Sequence, residues 1–123
     1  MKVIKTDAAP AAIGPYSQGI VSDNFVFTSG QIPLCPETGG IVGRDITEQT
    51  EQAIKNLKAV LEAAGSGLER VIKTTCFLAT MDDFVPFNEV YSRHFPERPA
   101  RSTIAVKQLP KNALVEIEAV AEI

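Results

Sequence analysis

Apolar positions along this chain switch between two periods. Short runs dominate its beginning, where Val3 to Lys5, Gly19 to Ser22 and Phe25 to Ser29 predict strands. Asp23-Asn24 joins the second and third, a pair that tolerates the positive φ of a tight hairpin. The spacing then becomes helical. Ile54, Leu57, Leu61 and Ala64 recur on one face of a segment that Asp45 and Glu48 open as a capping box and Gly65-Ser66-Gly67 stops. Val71 to Leu78, rich in Val, Ile, Thr and Phe, predicts a central strand. The stripe Phe84, Phe87, Tyr91 and Phe95 predicts a second helix, capped by Asp82-Asp83, carrying Pro86 in its first turn and closed by Pro96. Thr103 to Val106 and Leu114 to Val120 predict two last strands, neighbours joined through Leu109-Pro110-Lys111-Asn112. Two stretches lack either period: the Ala- and Pro-rich segment that ends at Gly14-Pro15-Tyr16-Ser17-Gln18, and Gln31 to Gly43.

The resulting order, β-ββ-α-β-α-ββ, predicts one α+β domain over residues 1–123, with a mixed or antiparallel sheet and both helices on one face. Its other face then needs a cover. In the last strand Val115, Ile117, Ala119 and Ala121 point one way, and Leu114, Glu116, Glu118 and Val120 the other. A half-apolar, half-acidic face suits a subunit interface with polar pockets, so the pattern predicts a closed homo-oligomer with sites where protomers meet.

Composition narrows the chemistry. Twelve basic against 15 acidic residues give a net charge of -3, the wrong sign for a domain that lives on phosphate contacts, so nucleic acid is disfavoured. Met1 to Asp7 has no apolar signal region and no later run approaches a membrane span; with only Cys35 and Cys76, expected to stay reduced, a cytoplasmic protein is predicted. Those cysteines and the single His94 are too scattered for zinc, and no carboxylate loop has calcium-binding spacing. Gly14-Pro15 and Gly39-Gly40 match no phosphate loop or dinucleotide fingerprint. No metal and no cofactor are predicted.

Candidate chemistry starts with Arg101, set where the proline-rich turn Phe95 to Pro99 runs into a β-branched segment. A planar guanidinium matches a carboxylate in bidentate fashion; the competing assignment is a surface ion pair. Glu116 and Glu118 share a strand face, and either could serve as a general base if packing raised its pKa, although alternating glutamates commonly form a solvated face. Tyr16 in its Gly-Pro loop could place a phenol over a pocket or pack at an edge. Ser29-Gly30 could bring backbone close to a ligand or form only a tight turn. Asn88 falls beside the apolar stripe of the second helix, while Cys76 and His94 read as structural.

Four blocks in order, Ala11 to Gly19, Thr28 to Pro33, Pro99 to Ser102, and Leu109 to Ala119, together with Lys73-Thr74-Thr75 and Asn88 to Tyr91, closely resemble the Rid family of reactive intermediate deaminases and its RidA branch. The resemblance implies a chorismate-mutase-like fold assembled as a homotrimeric barrel with sites at the subunit clefts. It implies hydrolysis of 2-iminobutanoate and 2-iminopropanoate, enamine/imine products of pyridoxal-phosphate-dependent serine and threonine dehydratases, to 2-oxo acids and ammonia without a cofactor. By the same resemblance Arg101 grips the substrate carboxylate and Glu116 activates water. Tyr16, Ser29, Gly30, Asn88 and Thr103 complete the binding site, Thr103 through its backbone N–H, since many relatives carry cysteine there. Two alternatives stand beside this reading: an RNA-cleaving translational inhibitor, and a non-catalytic regulator that binds small carboxylates.

Overall fold

The computed structural model describes residues 1–123. Helical spacing becomes helix α1, Ile46–Ala63, and helix α2, Phe84–His94; the period-two runs become strands β1, Lys2–Ile4, β2, Gly19–Ser22, β3, Phe25–Thr28, β4, Val71–Leu78, β5, Ala100–Ala105, and β6, Val115–Glu122. These strands form one sheet in the order β1-β2-β3-β6-β4-β5. All neighbours are antiparallel except β4 and β5, which run parallel.

Helix α1 begins where the side chain of Asp45 accepts the Glu48 N–H at 2.9 Å, half of the expected capping box. It stops at Gly65, whose φ of +83° lets Ser66 N–H reach back to the Leu61 carbonyl at 2.9 Å. Its apolar face, Ala53, Ile54, Leu57, Val60 and Leu61, is buried against the sheet and against Phe87 and Val90 of α2. Cutting a side chain such as Leu57 to alanine in that layer costs about 2–5 kcal/mol. The second helix differs from expectation at its start. Asp83 makes no capping bond; Thr80 instead accepts the Asp82 N–H, at 3.1 Å, at the head of a 3-10 turn that leads into α2.

The larger correction concerns the last two strands. They are not neighbours: β6 lies between β3 and β4, and β5 lies beyond β4 at the sheet edge. The physical reason is in β6, whose alternating Val115, Ile117, Ala119 and Ala121 are all buried and suit a central position, whereas β5 has only partly buried or exposed residues. Arg101 therefore sits within an edge strand, not in the turn before one.

Both helices cover the face made by Ile4, Val26, Thr74, Cys76, Leu78 and the buried half of β6. The opposite face carries Val3, Phe25, Phe27 and Ile104, each between 37% and 61% exposed, beside Glu116 and Glu118. That is the uncovered half-apolar, half-acidic face the sequence predicts. No helix is long and apolar enough to cross a membrane.

Candidate functional site

Two concavities receive the candidate residues. The first, about 670 Å³, is lined by Tyr16, Ser29, Gly30 and Glu116 among others. Its floor is made by the chain leaving β3: Gln31 and Ile117 exchange backbone hydrogen bonds at 2.8 and 3.1 Å, so the loop runs beside β6 and carries Gly30 beneath the Glu116 side chain. A Cβ at Gly30 would stand 2.7 Å from Cδ and 2.8 Å from Cγ of Glu116, so glycine is needed here for close approach. Ser29 is turned inward: its hydroxyl donates to the Ser17 carbonyl at 2.5 Å and its N–H to the Gln18 carbonyl at 2.9 Å. Its hydroxyl thus fastens the Tyr16 loop to the end of β3. Tyr16 remains 53% exposed at the rim.

Glu116 is half-buried on the face away from the helices. Burial, and secondarily the charge of Glu118, push its carboxyl above the ordinary glutamate range. A carboxyl shifted in this direction holds a proton more readily than an ordinary glutamate does.

The second concavity, about 680 Å³, is lined by Asn88, Tyr91, Arg98 and Arg101 among others. Strand register pairs Arg101 with Thr74 and Thr103 with Cys76, so both side chains face the helices. The Arg101 guanidinium carbon lies 4.7 Å from the centre of the Tyr91 ring, 5.7 Å from Phe84 and 5.8 Å from Phe87. Nη1 donates to Asn88 Oδ1 at 2.8 Å. Tyr91 is fixed in turn, its hydroxyl 2.6 Å from Thr74 Oγ1 and its ring stacked on Phe95. No carboxylate lies within ion-pair distance of Arg101; the one contact of that length between a basic and an acidic side chain is His94 Nε2 with Glu51 Oε2 at 3.0 Å.

The backbone adds donors along the same strand. Val106 N–H donates to the Leu78 carbonyl across the β4–β5 pair. Because backbone groups alternate along a strand, the N–H groups of Ile104 and Ser102 also face β4, while those of Arg101 and Thr103 point to the free edge. The Thr103 side chain is turned the other way, toward Cys76, and its Oγ1 is buried without a hydrogen-bond partner. Cys76 beside it is inert, because burial pushes its thiol up to about 11. His94 serves only the Glu51 contact, and no group of three or more His, Cys, Asp or Glu side chains gathers as a metal site.

The structure thus groups Tyr16, Ser29, Gly30 and Glu116 in one place and Asn88, Arg101 and Thr103 in another. Arg101 and Glu116 lie two strands apart, since Arg101 aligns through Thr74 with Ala119, three residues from Glu116, and their side chains leave opposite faces. The offset amounts to roughly 14 Å between Cα positions from strand spacing and rise. Within one chain they cannot hold one small molecule together.

Sequence reasoning missed the buried amides that shape the first concavity. Gln18 accepts the Thr6 N–H at 2.7 Å and donates to the Pro10 carbonyl at 2.8 Å, which sets the N-terminal loop along the cleft. Asn56 on α1 donates to the carbonyls of Ile32 and Leu34 at 3.0 and 2.9 Å, and Gln49 accepts the Leu114 N–H at 2.8 Å. The available signal was a set of polar side chains interrupting the apolar face of α1.

The sequence profile of the family described as Endoribonuclease L-PSP matches residues 6–123. The chain belongs to the Rid family. This Rid protein is 53% identical to a RutC family protein of Pyrococcus abyssi, over 98% of its own length and 95% of that protein. It is 49% identical to chloroplastic Reactive Intermediate Deaminase A of Arabidopsis thaliana, over 98% of its length and 65% of the plant protein. Among solved structures, Escherichia coli TdcF with bound serine superposes with a TM-score of 0.95 at 45% identity, covering 100% of this chain and 99% of TdcF. TdcF of Escherichia coli is itself named a putative reactive intermediate deaminase, so a relative of that name shares this fold over the whole of this chain.

Proposed function

We propose that this Rid protein hydrolyses small 2-imino acids, 2-iminobutanoate and 2-iminopropanoate, to 2-oxo acids and ammonia. The observation that carries the reading is Arg101: a partly buried guanidinium held by aromatic rings and a neutral amide, without a counter-charge, beside an unpaired backbone N–H. Such a group is prepared for an anion, and a carboxylate fits its fork. A relative with serine bound supports a small amino-acid-like ligand.

In the proposed assembly copies of the chain form a closed homotrimer through the uncovered sheet faces. Arg101 and Thr103 N–H of one copy then meet Tyr16, Gly30 and Glu116 of the next, which would join the two halves that one chain keeps apart. Arg101 fixes the carboxylate. Water held by the Glu116 side chain gives Glu116 a proton and adds to C2 of the protonated imine. Protonated Glu116 returns that proton to the carbinolamine nitrogen, which leaves as ammonia. The C2 hydroxyl passes its proton through Glu116 to the departing ammonia and becomes the carbonyl of the 2-oxo acid, so that ammonium is released and Glu116 ends ionised as it began. Each turnover consumes one water and needs no redox partner. General base catalysis supplies about 10²- to 10⁴-fold, and positioning adds to it.

The test couples the purified protein to a threonine dehydratase and follows 2-oxobutyrate formation with wild type, Arg101→Ala and Glu116→Gln. Both variants should lose the acceleration. If Arg101→Ala released 2-oxobutyrate as fast as wild type, the site would be wrong. Binding of 2-oxobutyrate without any acceleration by wild type would instead favour a regulator.

A further inference from the structure

Every group that fixes Arg101 is neutral. Tyr91, Phe84 and Phe87 offer ring faces, and Asn88 offers a carboxamide oxygen at 2.8 Å. Asparagine presents the same acceptor in the same place as aspartate would, but without its charge. An aspartate at position 88 would form an ion pair with the guanidinium and compete for the fork that a ligand carboxylate requires. The stability argument alone would favour that pair, because a partly buried guanidinium is better compensated by a carboxylate than by an amide. The chain does the opposite, although acidic side chains are plentiful, with 15 Asp and Glu in 123 residues.

We infer that Asn88 is a positioning residue, which aims the Arg101 fork toward the free edge of β5 while leaving its charge uncompensated for the substrate carboxylate. This rests on Arg101 being the carboxylate anchor proposed above. It also moves Asn88 from ligand contact to support: its oxygen is occupied by Nη1, and it acts through the arginine. The aromatic stripe of α2 acquires a second duty. Residues spaced to fill the core also supply the ring faces against which the guanidinium lies, and Thr74 keeps the central ring, Tyr91, from turning.

The experiment measures 2-oxobutyrate binding by calorimetry, and KM and kcat in the dehydratase-coupled assay, for wild type, Asn88→Asp, Asn88→Ala and Arg101→Ala. Asn88→Asp should weaken binding and raise KM by about ten-fold or more, the scale of a charge-assisted contact, with kcat nearly unchanged and a thermal midpoint at or above wild type. A purely structural Asn88 predicts the reverse pattern: aspartate tolerated in KM. Asn88→Ala should raise KM less, because it frees the fork without neutralising it. Wild-type affinity in Asn88→Asp, combined with lost affinity in Arg101→Ala, overturns the inference and leaves the anchor standing; unchanged affinity in Arg101→Ala sinks the anchor itself. Should Asn88→Asp fail to fold, nitrogen NMR of the wild-type Arg101 side chain decides. Restricted rotation of the Nη groups is expected, and free rotation in wild type overturns the inference.

Discussion

The Arg101 edge and the Glu116 cleft solve opposite electrostatic problems in the same way. Arg101 is surrounded by ring faces and an amide, and no carboxylate approaches it. Glu116 is half-buried near another glutamate, and its carboxyl is raised by burial and by that neighbour. In each place the protein withholds the partner that would stabilise the charge best. A surface arginine and a solvated glutamate would simply be paired or hydrated. The difference lies in what the missing partner is: an anion for the arginine, a proton for the glutamate. On the proposed mechanism the first region binds the substrate and the second transfers a proton.

Substitutions that touch one region only should separate those duties. The largest effect is expected from Glu116→Gln, which keeps shape but removes the base, and should lower kcat for imine hydrolysis by about 10²- to 10⁴-fold with KM little changed. Arg101→Ala should act on the other term, with kcat/KM falling by about 10- to 100-fold, mainly through KM, as expected for loss of a charge-assisted fork. Gly30→Ala comes next. Its Cβ would stand 2.8 Å from Glu116 Cγ and must push the carboxylate aside, so kcat should fall by roughly ten-fold while 2-oxobutyrate affinity holds. If Gly30→Ala weakened affinity as much as Arg101→Ala does, the division between the two regions would be lost.

How far this division was legible in sequence follows from what local patterns encode. The alternation of Val115 to Ala121 identified the buried face of β6, and the stripe Phe84 to Phe95 identified α2, because burial imposes a period on neighbouring residues. Strand order is set by pairings between distant residues. Nothing local in Ala100–Ala105 says that it runs parallel to β4 at the edge, so the placement of β6 beside β5 failed. The site shared that fate. Residue types at Arg101, Glu116 and Gly30 were readable, but the opposite facing of the two charged groups depends on the strand β4 between them. Gln18 carried no signal because its partners are backbone groups of a loop without a pattern of its own, and Asn56, visible as a polar break in the apolar face of α1, gave no sign of which loop carbonyls it binds.

The smallest effect concerns stability, and it discriminates a raised Glu116 from one merely near the cleft. A carboxyl raised in the folded state binds its proton more tightly there than in the unfolded chain, so folding is favoured at low pH. That contribution is fully present below the ordinary glutamate value, decreases as pH rises, and is gone once pH passes the raised folded value. Glu116→Gln has no such proton to lose. Its thermal midpoint relative to wild type should therefore grow more favourable from about pH 4 upward and level off above the folded pKa, by a few degrees at most because Glu116 is only half-buried. The check is a series of melting curves across pH for both proteins, with Glu118→Gln as a third. Removing the neighbouring charge should narrow the pH-dependent gap without closing it, since burial is the larger cause and stays in place. A gap that closed completely in Glu118→Gln would assign the shift to the glutamate pair and take the role of burial away.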